Sequence, residues 1–277
     1  MRKGTNSLGI AFALSGNDSD LITGNLSDGT NAMVFTGHRS IFNSRANPNL
    51  LAGAFTWTLP GAESTTNGAP EGWSYGTVKV DGNGWGTFAG VLADGSRASW
   101  KTPLGARGQW PAFASLYSGG GSALGWLTLT NQSTNHIRGE VTWTKPEITK
   151  AKWHAGAFVH RATSLGSRYT KPTGDVRRPL NFAEGIAVLS GGNLNGAVTN
   201  AFAWSTKNKV TGVGTNYLSL SFSESSGLFR GSFGAAGSKT RSALGGVVLQ
   251  QEDVACGVAF GTNRTSRMAI RDGSVVP

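Results

Sequence analysis

The chain has 277 residues, 38% of them hydrophobic and 41 of them glycine, and carries 25 Lys plus Arg against 15 Asp plus Glu, a formal charge of +10. That length suits one large or two modest domains with ample core; the hydrophobic share excludes a disordered chain, and the lack of a G-X-Y period excludes collagen. Its one cysteine, Cys256, excludes an internal disulfide framework, and no run of about 18 apolar residues is present, so no membrane span is expected.

Glycine at this level, beside many Thr, Ser, Val, Phe and Trp, suits an all-β chain with many tight turns. Glycine supplies the positive φ of hairpin turns, and β-branched and aromatic side chains fit a pleated face. At the N-terminus, Met1-Arg2-Lys3 imitates the charged start of a signal peptide. Residues 8–14 are too short and glycine-broken for its apolar core, no convincing cleavage site follows, and they read as a strand. Alternation over 75–80 gives a strand, Asp81-Gly82-Asn83-Gly84 a hairpin turn, and 86–92 the returning strand. Ala93-Asp94-Gly95-Ser96 is a second tight turn, and further strands fit 97–102, 109–117, 122–130 and 138–144. Gly119-Gly120-Gly121 serves as a hairpin connection. Later in the chain, 217–222, 228–233 and 254–260 read as strands.

The second half repeats the first. Ala54-Phe55-Thr56-Trp57 returns as Ala201-Phe202-Ala203-Trp204, and Gly86-Thr87-Phe88-Ala89-Gly90 returns, in the same order, as Gly227-Leu228-Phe229-Arg230-Gly231. Two ordered matches indicate an internal duplication. A third, partial copy opens the chain: Thr23-Gly24-Asn25-Leu26-Ser27-Asp28-Gly29-Thr30 parallels Ala89-Gly90-Val91-Leu92-Ala93-Asp94-Gly95-Ser96, so the chain is expected to begin partway through a repeat. The expected fold is all-β, with duplicated antiparallel β units forming two barrel- or sandwich-like lobes. The expected organisation is a partial N-terminal β repeat at 1–45, a first β unit at 46–145, a basic connector at 146–190 and a second β unit at 191–277.

The run Gly76-Thr77-Val78-Lys79-Val80-Asp81-Gly82-Asn83-Gly84 resembles a glycine-rich C-terminal β domain of large secreted bacterial surface proteins, as do Gly108-Gln109-Trp110-Pro111, Leu124-Gly125-Trp126-Leu127, Val141-Thr142-Trp143-Thr144-Lys145-Pro146 and Leu189-Ser190-Gly191-Gly192-Asn193-Leu194. The resemblance covers nearly the whole chain, except that residues 254–260 are poorer in Tyr and Gly than the pattern. It implies β architecture and a secreted or cell-surface location in the parent protein. The family has no established activity, so no site residues follow from it.

Function must therefore be sought in side chains. Eight of the nine Trp fall between Trp57 and Trp153. Trp57, Trp126 and Trp143 alternate with polar neighbours and are expected in the core. Trp73 and Trp85 lie beside glycines near turns, and are the candidates for stacking on sugar rings. Between Arg138 and Arg178, nine Lys and Arg face three acidic residues; this belt reads as a soluble connector or as a surface for an anionic polymer. Arg107, Arg168, Arg177 and Arg178 are the candidate donors to anionic or hydroxyl groups. The expected partner is a polysaccharide or an anionic cell-surface polymer. Nucleic acid is not expected, because the aromatics are not interleaved with the basic cluster.

The alternative is a hydrolase acting on glycosides or esters in a cleft between the two units. A glycosidase needs two carboxylates about 5–10 Å apart; Glu63, Glu71, Glu140, Glu184, Glu252 and Asp253 are available, while Asp28, Asp81 and Asp94 occupy Asp-Gly turns. The histidines His38, His136, His154 and His160 lack metal-ligand spacing, although His154 and His160 should share one strand face. Asn17-Asp18-Ser19-Asp20 and Asp81-Gly82-Asn83-Gly84 read as polar turns rather than calcium loops. No phosphate loop, dinucleotide fingerprint or Gly-x-Ser-x-Gly elbow is present, no cofactor is expected, and Cys256 reads as a buried strand thiol.

Overall fold

A computed structural model describes residues 7–14, 20–64 and 68–274. Met1-Arg2-Lys3 and the Asn17-Asp18-Ser19 part of the first polar turn lie outside the described residues. The fold is all-β, with two nearly closed eight-stranded antiparallel barrels preceded by a small separate sheet.

The small sheet contains β1 (Gly9–Leu14), β2 (Leu21–Ser27) and β3 (Ala32–His38) in that order. The first barrel is a meander of β4 (Gly53–Leu59), β5 (Ser74–Val80), β6 (Trp85–Val91), β7 (Arg97–Pro103), β8 (Gln109–Leu116), β9 (Gly121–Leu129), β10 (Ile137–Lys145) and β11 (Phe158–Arg168). Pairing of β4 with β11 closes it, and β7 and β8 remain unpaired. Pro111 on β8 accounts for that seam. Its carbonyl points at β7, where it accepts from Thr102 Oγ1 (2.6 Å), and the ring leaves no N–H to donate on that side. The second barrel runs through β12 (Glu184–Ser190), β13 (Val198–Trp204), β14 (Val210–Gly212), β15 (Tyr217–Phe222), β16 (Leu228–Gly234), β17 (Ser242–Leu249), β18 (Val254–Phe260) and β19 (Thr265–Asp272). β12 pairs with β19, and the seam falls between the three-residue β14 and β15.

Alternation along the strands fills each interior with aromatic rings. In the first barrel Phe88 stacks on Trp100 (4.0 Å between centroids), Trp57 meets both edge-on, and Trp110 tilts against Trp100. Trp204 and Phe222 (4.2 Å) with Phe202 and Phe229 do the same in the second. These barrels are therefore packed cores rather than pores. The repeated Phe-x-Trp motif sends both rings inward in each barrel, but it lies on the first strand of one (β4) and the second of the other (β13). The Gly86 and Gly227 motifs likewise fall on the third and fifth strands. Duplication holds at the level of architecture and facing, whereas those two motifs do not mark equivalent strands.

The barrels share a wall. β17 and β18 turn Leu244, Val248, Ala255 and Ala259 into their own core, and Val247, Leu249, Cys256 and Val258 toward the first barrel. Against them lie Trp73, Tyr75 and the outer face of β4, where Thr56 Oγ1 donates to the Val248 carbonyl. Trp73 N–H donates to the Gly257 carbonyl (3.1 Å), a backbone bond from one barrel to the other.

Residues 146–190 are no connector: they supply β11, which closes the first barrel, and β12, which opens the second. Most of their charge sits in the loops before and after β11, with Arg161 on an outward strand position. Between them, 169–183 is strapped down by Thr170 N–H to Gln250 Oε1, Asn181 N–H to Asp253 Oδ1 and Gln250 Nε2 to the Pro179 carbonyl.

Candidate functional site

The sequence-derived candidates do not converge. Trp73 and Trp85 lie at opposite ends of the β5–β6 hairpin, a strand length of roughly 20 Å apart. Trp73 is half-buried in the inter-barrel cluster. Trp85 is 42% exposed, with Lys101 Nζ 5.4 Å from its ring centroid. Arg107 is exposed at the same barrel end, in the β7–β8 loop that begins with Leu104 N–H bonded to the Gly84 carbonyl. Arg168 is a packing residue: it donates to the Ala52 carbonyl (3.2 Å) and lies 4.9 Å over the Phe55 ring. Arg177 pairs with Glu224 (3.3 Å), and Arg178 is half-buried beside it.

Trp57 and Trp143 are core, as expected, but Trp126 points outward, 45% exposed and edge-on to His38. Both phases of β9 carry large apolar groups, and Leu127 and Leu129 take the interior. His154 does not share a strand face with His160; it sits in the β10–β11 loop with φ 52°. Four of the candidate carboxylates are committed separately. Glu140 pairs with exposed Arg161, Glu71 accepts from Gly192 N–H (2.9 Å), Glu252 from Asn135 N–H (2.8 Å), and Asp253 from Asn181 N–H. Asp28 and Asp81 cap their turns, and the three backbone and side-chain bonds that Asp28 accepts hold its carboxyl below the usual range. Asp94 does more: its carboxylate accepts from the half-buried Tyr117 hydroxyl (2.7 Å), which also accepts from Trp143 Nε1 (3.0 Å).

A groove of about 780 Å³ lies between the mouth of the second barrel and the β10–β11 loop of the first. Trp153 reaches it from that loop. Its Nε1–H donates to the Gly261 carbonyl (2.9 Å), its ring leans on Phe260 (4.7 Å between centroids), and Lys152 Nζ stands 4.6 Å from its centroid. Gly95, at φ +85° in the β6–β7 turn, lets the backbone rest against the indole; a Cβ there would meet the ring at 2.8 Å. From the second barrel come Phe233 and Arg241, the latter held over the Tyr217 ring at 4.2 Å and bonded to the Thr240 carbonyl. Among the described residues lining the groove there is no carboxylate and no histidine. Two-carboxylate glycoside hydrolysis therefore has no acid and base in this groove.

His154 fixes the groove's geometry. Thr265 N–H donates to Nε2 (3.0 Å), so Nδ1 carries the proton and donates to the Gly68 carbonyl (3.1 Å). Its own N–H bonds to the Asn263 carbonyl. Burial holds the imidazole below its ordinary pKa, in the neutral state this bonding needs. Nearby, Gly191 and Gly192 both have positive φ and wrap the Glu71 carboxylate, while Asn193 Oδ1 accepts from Arg264 N–H. The loop and the barrel mouth are thus pinned to each other at several points.

No family model, curated protein or solved structure matches this chain. Chemistry must be argued from the groove alone. An indole and a phenyl ring offer apolar faces and edges, two cations offer charge-assisted donors, and no acid in the described lining competes for them. Trp153 stood in the sequence between Lys152 and His154, a visible signal. Its ring partner Phe260 and the opposing Arg241 were brought to it only by the fold.

Proposed function

We propose that this chain is a non-catalytic glycan-binding module of a secreted or cell-surface protein, and that the inter-barrel groove holds an anionic polysaccharide. The observation that carries this is the pairing of Trp153 and Phe260 with Lys152 and Arg241 in a groove whose described lining has no carboxylate. A sugar ring packs its C–H face on the aromatics, and a uronate or sulfate group is met by the two cations. The net charge of +10 draws such a polymer in, with a salt dependence that follows the number of charges paired. The resemblance to the β domain of bacterial surface proteins supports the location.

Affinity electrophoresis and calorimetry with a polyuronate, and with a neutral glucan as comparison, test it. Trp153→Ala should weaken polyuronate binding about tenfold or more, the scale of one lost stacking contact of about 1.5 kcal/mol. Lys152→Ala with Arg241→Ala should abolish the preference for the charged polymer, and the bound polymer should gain no new reducing ends. Retained affinity in both variants overturns the reading.

A further inference from the structure

The three-stranded sheet has one wholly apolar face. Directly paired residues of an antiparallel sheet share a face, and the register gives the rows Ile10–Leu26–Met33, Phe12–Gly24–Phe35 and Leu14–Ile22–Gly37. The opposite face is mixed: Asn25, Thr23, Thr36, Ser27 and His38 with Leu21, Val34 and small residues. Both faces lie open to solvent, and on the apolar one Leu8, Ile10, Phe12, Leu14 and Met33 are 57%, 61%, 65%, 72% and 60% exposed. The same kind of face is a barrel interior elsewhere in the chain. In β5–β7 the corresponding side carries Val78, Phe88 and Trp100 and is covered by the rest of its barrel. Gly24 lies under the Phe35 ring as Gly90 lies under Phe88. The small sheet is thus a piece of barrel wall with its core side uncovered.

We propose that a second copy of this chain covers it, two sheets packing face to face about a dyad perpendicular to the strands. Three observations favour a like partner. First, β1, β2 and β3 contain no Lys, Arg, Asp or Glu, so the sheet is a neutral strip on a chain of net charge +10, and copies that repel elsewhere meet without like charges here. Second, both edges, β1 and β3, lack the Lys and Pro that guard exposed edges. Such a dyad stacks β1 antiparallel over its own copy, and β3 likewise, at the sheet-to-sheet spacing of about 10 Å. No edge Lys or Pro stands in the way of the packing, while the edge N–H and C=O groups still point outward. Third, the area is sufficient. With roughly 200 Å² per full side chain, covering the five exposed residues removes about 600 Å² per copy, and the half-buried Ile22, Leu26 and Phe35 bring this near the ~800 Å² per partner of a standard interface.

Sedimentation velocity on the full chain between about 1 and 100 µM tests this. A species of twice the 28.8 kDa chain mass, growing with concentration, is expected. Phe12→Lys with Met33→Lys should return it to monomer, while Asn25→Lys with Thr36→Lys, on the other face, should leave the dimer intact. Near-UV circular dichroism of the buried barrel tryptophans reports that the barrels stay folded in both. A chain that is monomeric at 100 µM, or a dimer that survives Phe12→Lys with Met33→Lys, overturns the proposal. So does a monomer whose sheet instead binds neutral lipid vesicles.

Discussion

His154→Ala is the substitution that tests most directly how the two barrels are held together. The change removes the acceptor for Thr265 N–H, which is left in a partly buried place, and the donor to the Gly68 carbonyl, which lies at an exposed position. At about 1 kcal/mol for each lost bond, with an added desolvation cost for the orphaned N–H, the loss comes to roughly 2–3 kcal/mol. That corresponds to a melting temperature about 5–10 °C lower for a chain of this size. The effect has a pH signature. Burial lowers the folded pKa of His154 below the ordinary value, so the unfolded chain binds the extra proton first as the solution is acidified. Its contribution is complete above the ordinary histidine pKa of about 6.5, and is lost as pH falls through the lowered folded value. His136, also lowered chiefly by burial, adds a slope of the same sign that the variant retains. Urea unfolding of both proteins at pH 7.5 and pH 5 should give wild type the steeper loss. Equal slopes, or a variant within 0.5 kcal/mol of wild type at pH 7.5, would refute the bonding pattern assigned to this ring.

Two further outcomes follow from buried groups. Tyr117→Phe strips the Asp94 carboxylate of its hydroxyl donor and Trp143 Nε1 of its acceptor inside the first barrel, and should cost about 2–3 kcal/mol in denaturant titration. Full stability in this variant would mean that the network adds nothing. Cys256 is buried in the shared wall, and burial pushes its thiol up to about 12. At pH 8 a thiol reagent should label it at least ~10³-fold more slowly than a free thiol, at a rate that tracks unfolding; fast labelling of the native chain would contradict a closed interface.

Most of the wall of the first barrel, β5–β10, and three strands of the second, β15, β16 and β18, were legible because strands speak through alternation and turns through glycine. The bounds of β15 and β18 coincide with those read from the sequence, and β5–β10 shift by a residue or so. The miss at β11 has a physical cause. The basic residues that made the segment look like connector, Lys150, Lys152, Lys171, Arg177 and Arg178, stand in the loops on either side. Between them, 158–168 carries small and polar residues with only Arg161 and Arg168 charged, too weak an alternation to report a strand. The Trp126 reversal is a phase error in a strand apolar on both sides. For the site, the flanking glycines of Trp73 and Trp85 signalled turns, but turn residues are exposed only if nothing packs on the turn, and at Trp73 the other barrel does. The groove could not be read at all, since Trp153 and Phe260 meet only when the barrels dock.

The double-sided burial of β17 bears on how such a chain can change over generations. Copies of a repeat are ordinarily free to be lost, shuffled or multiplied one at a time. Val247 is fully covered only because the first barrel stands against it, and Val258 belongs to that barrel's core cluster while its strand belongs to the other. Either half released alone would present a greasy stripe and invite degradation. The shared wall therefore ties the two barrels into one unit, so that losing or duplicating either alone would carry the cost of a bare apolar stripe.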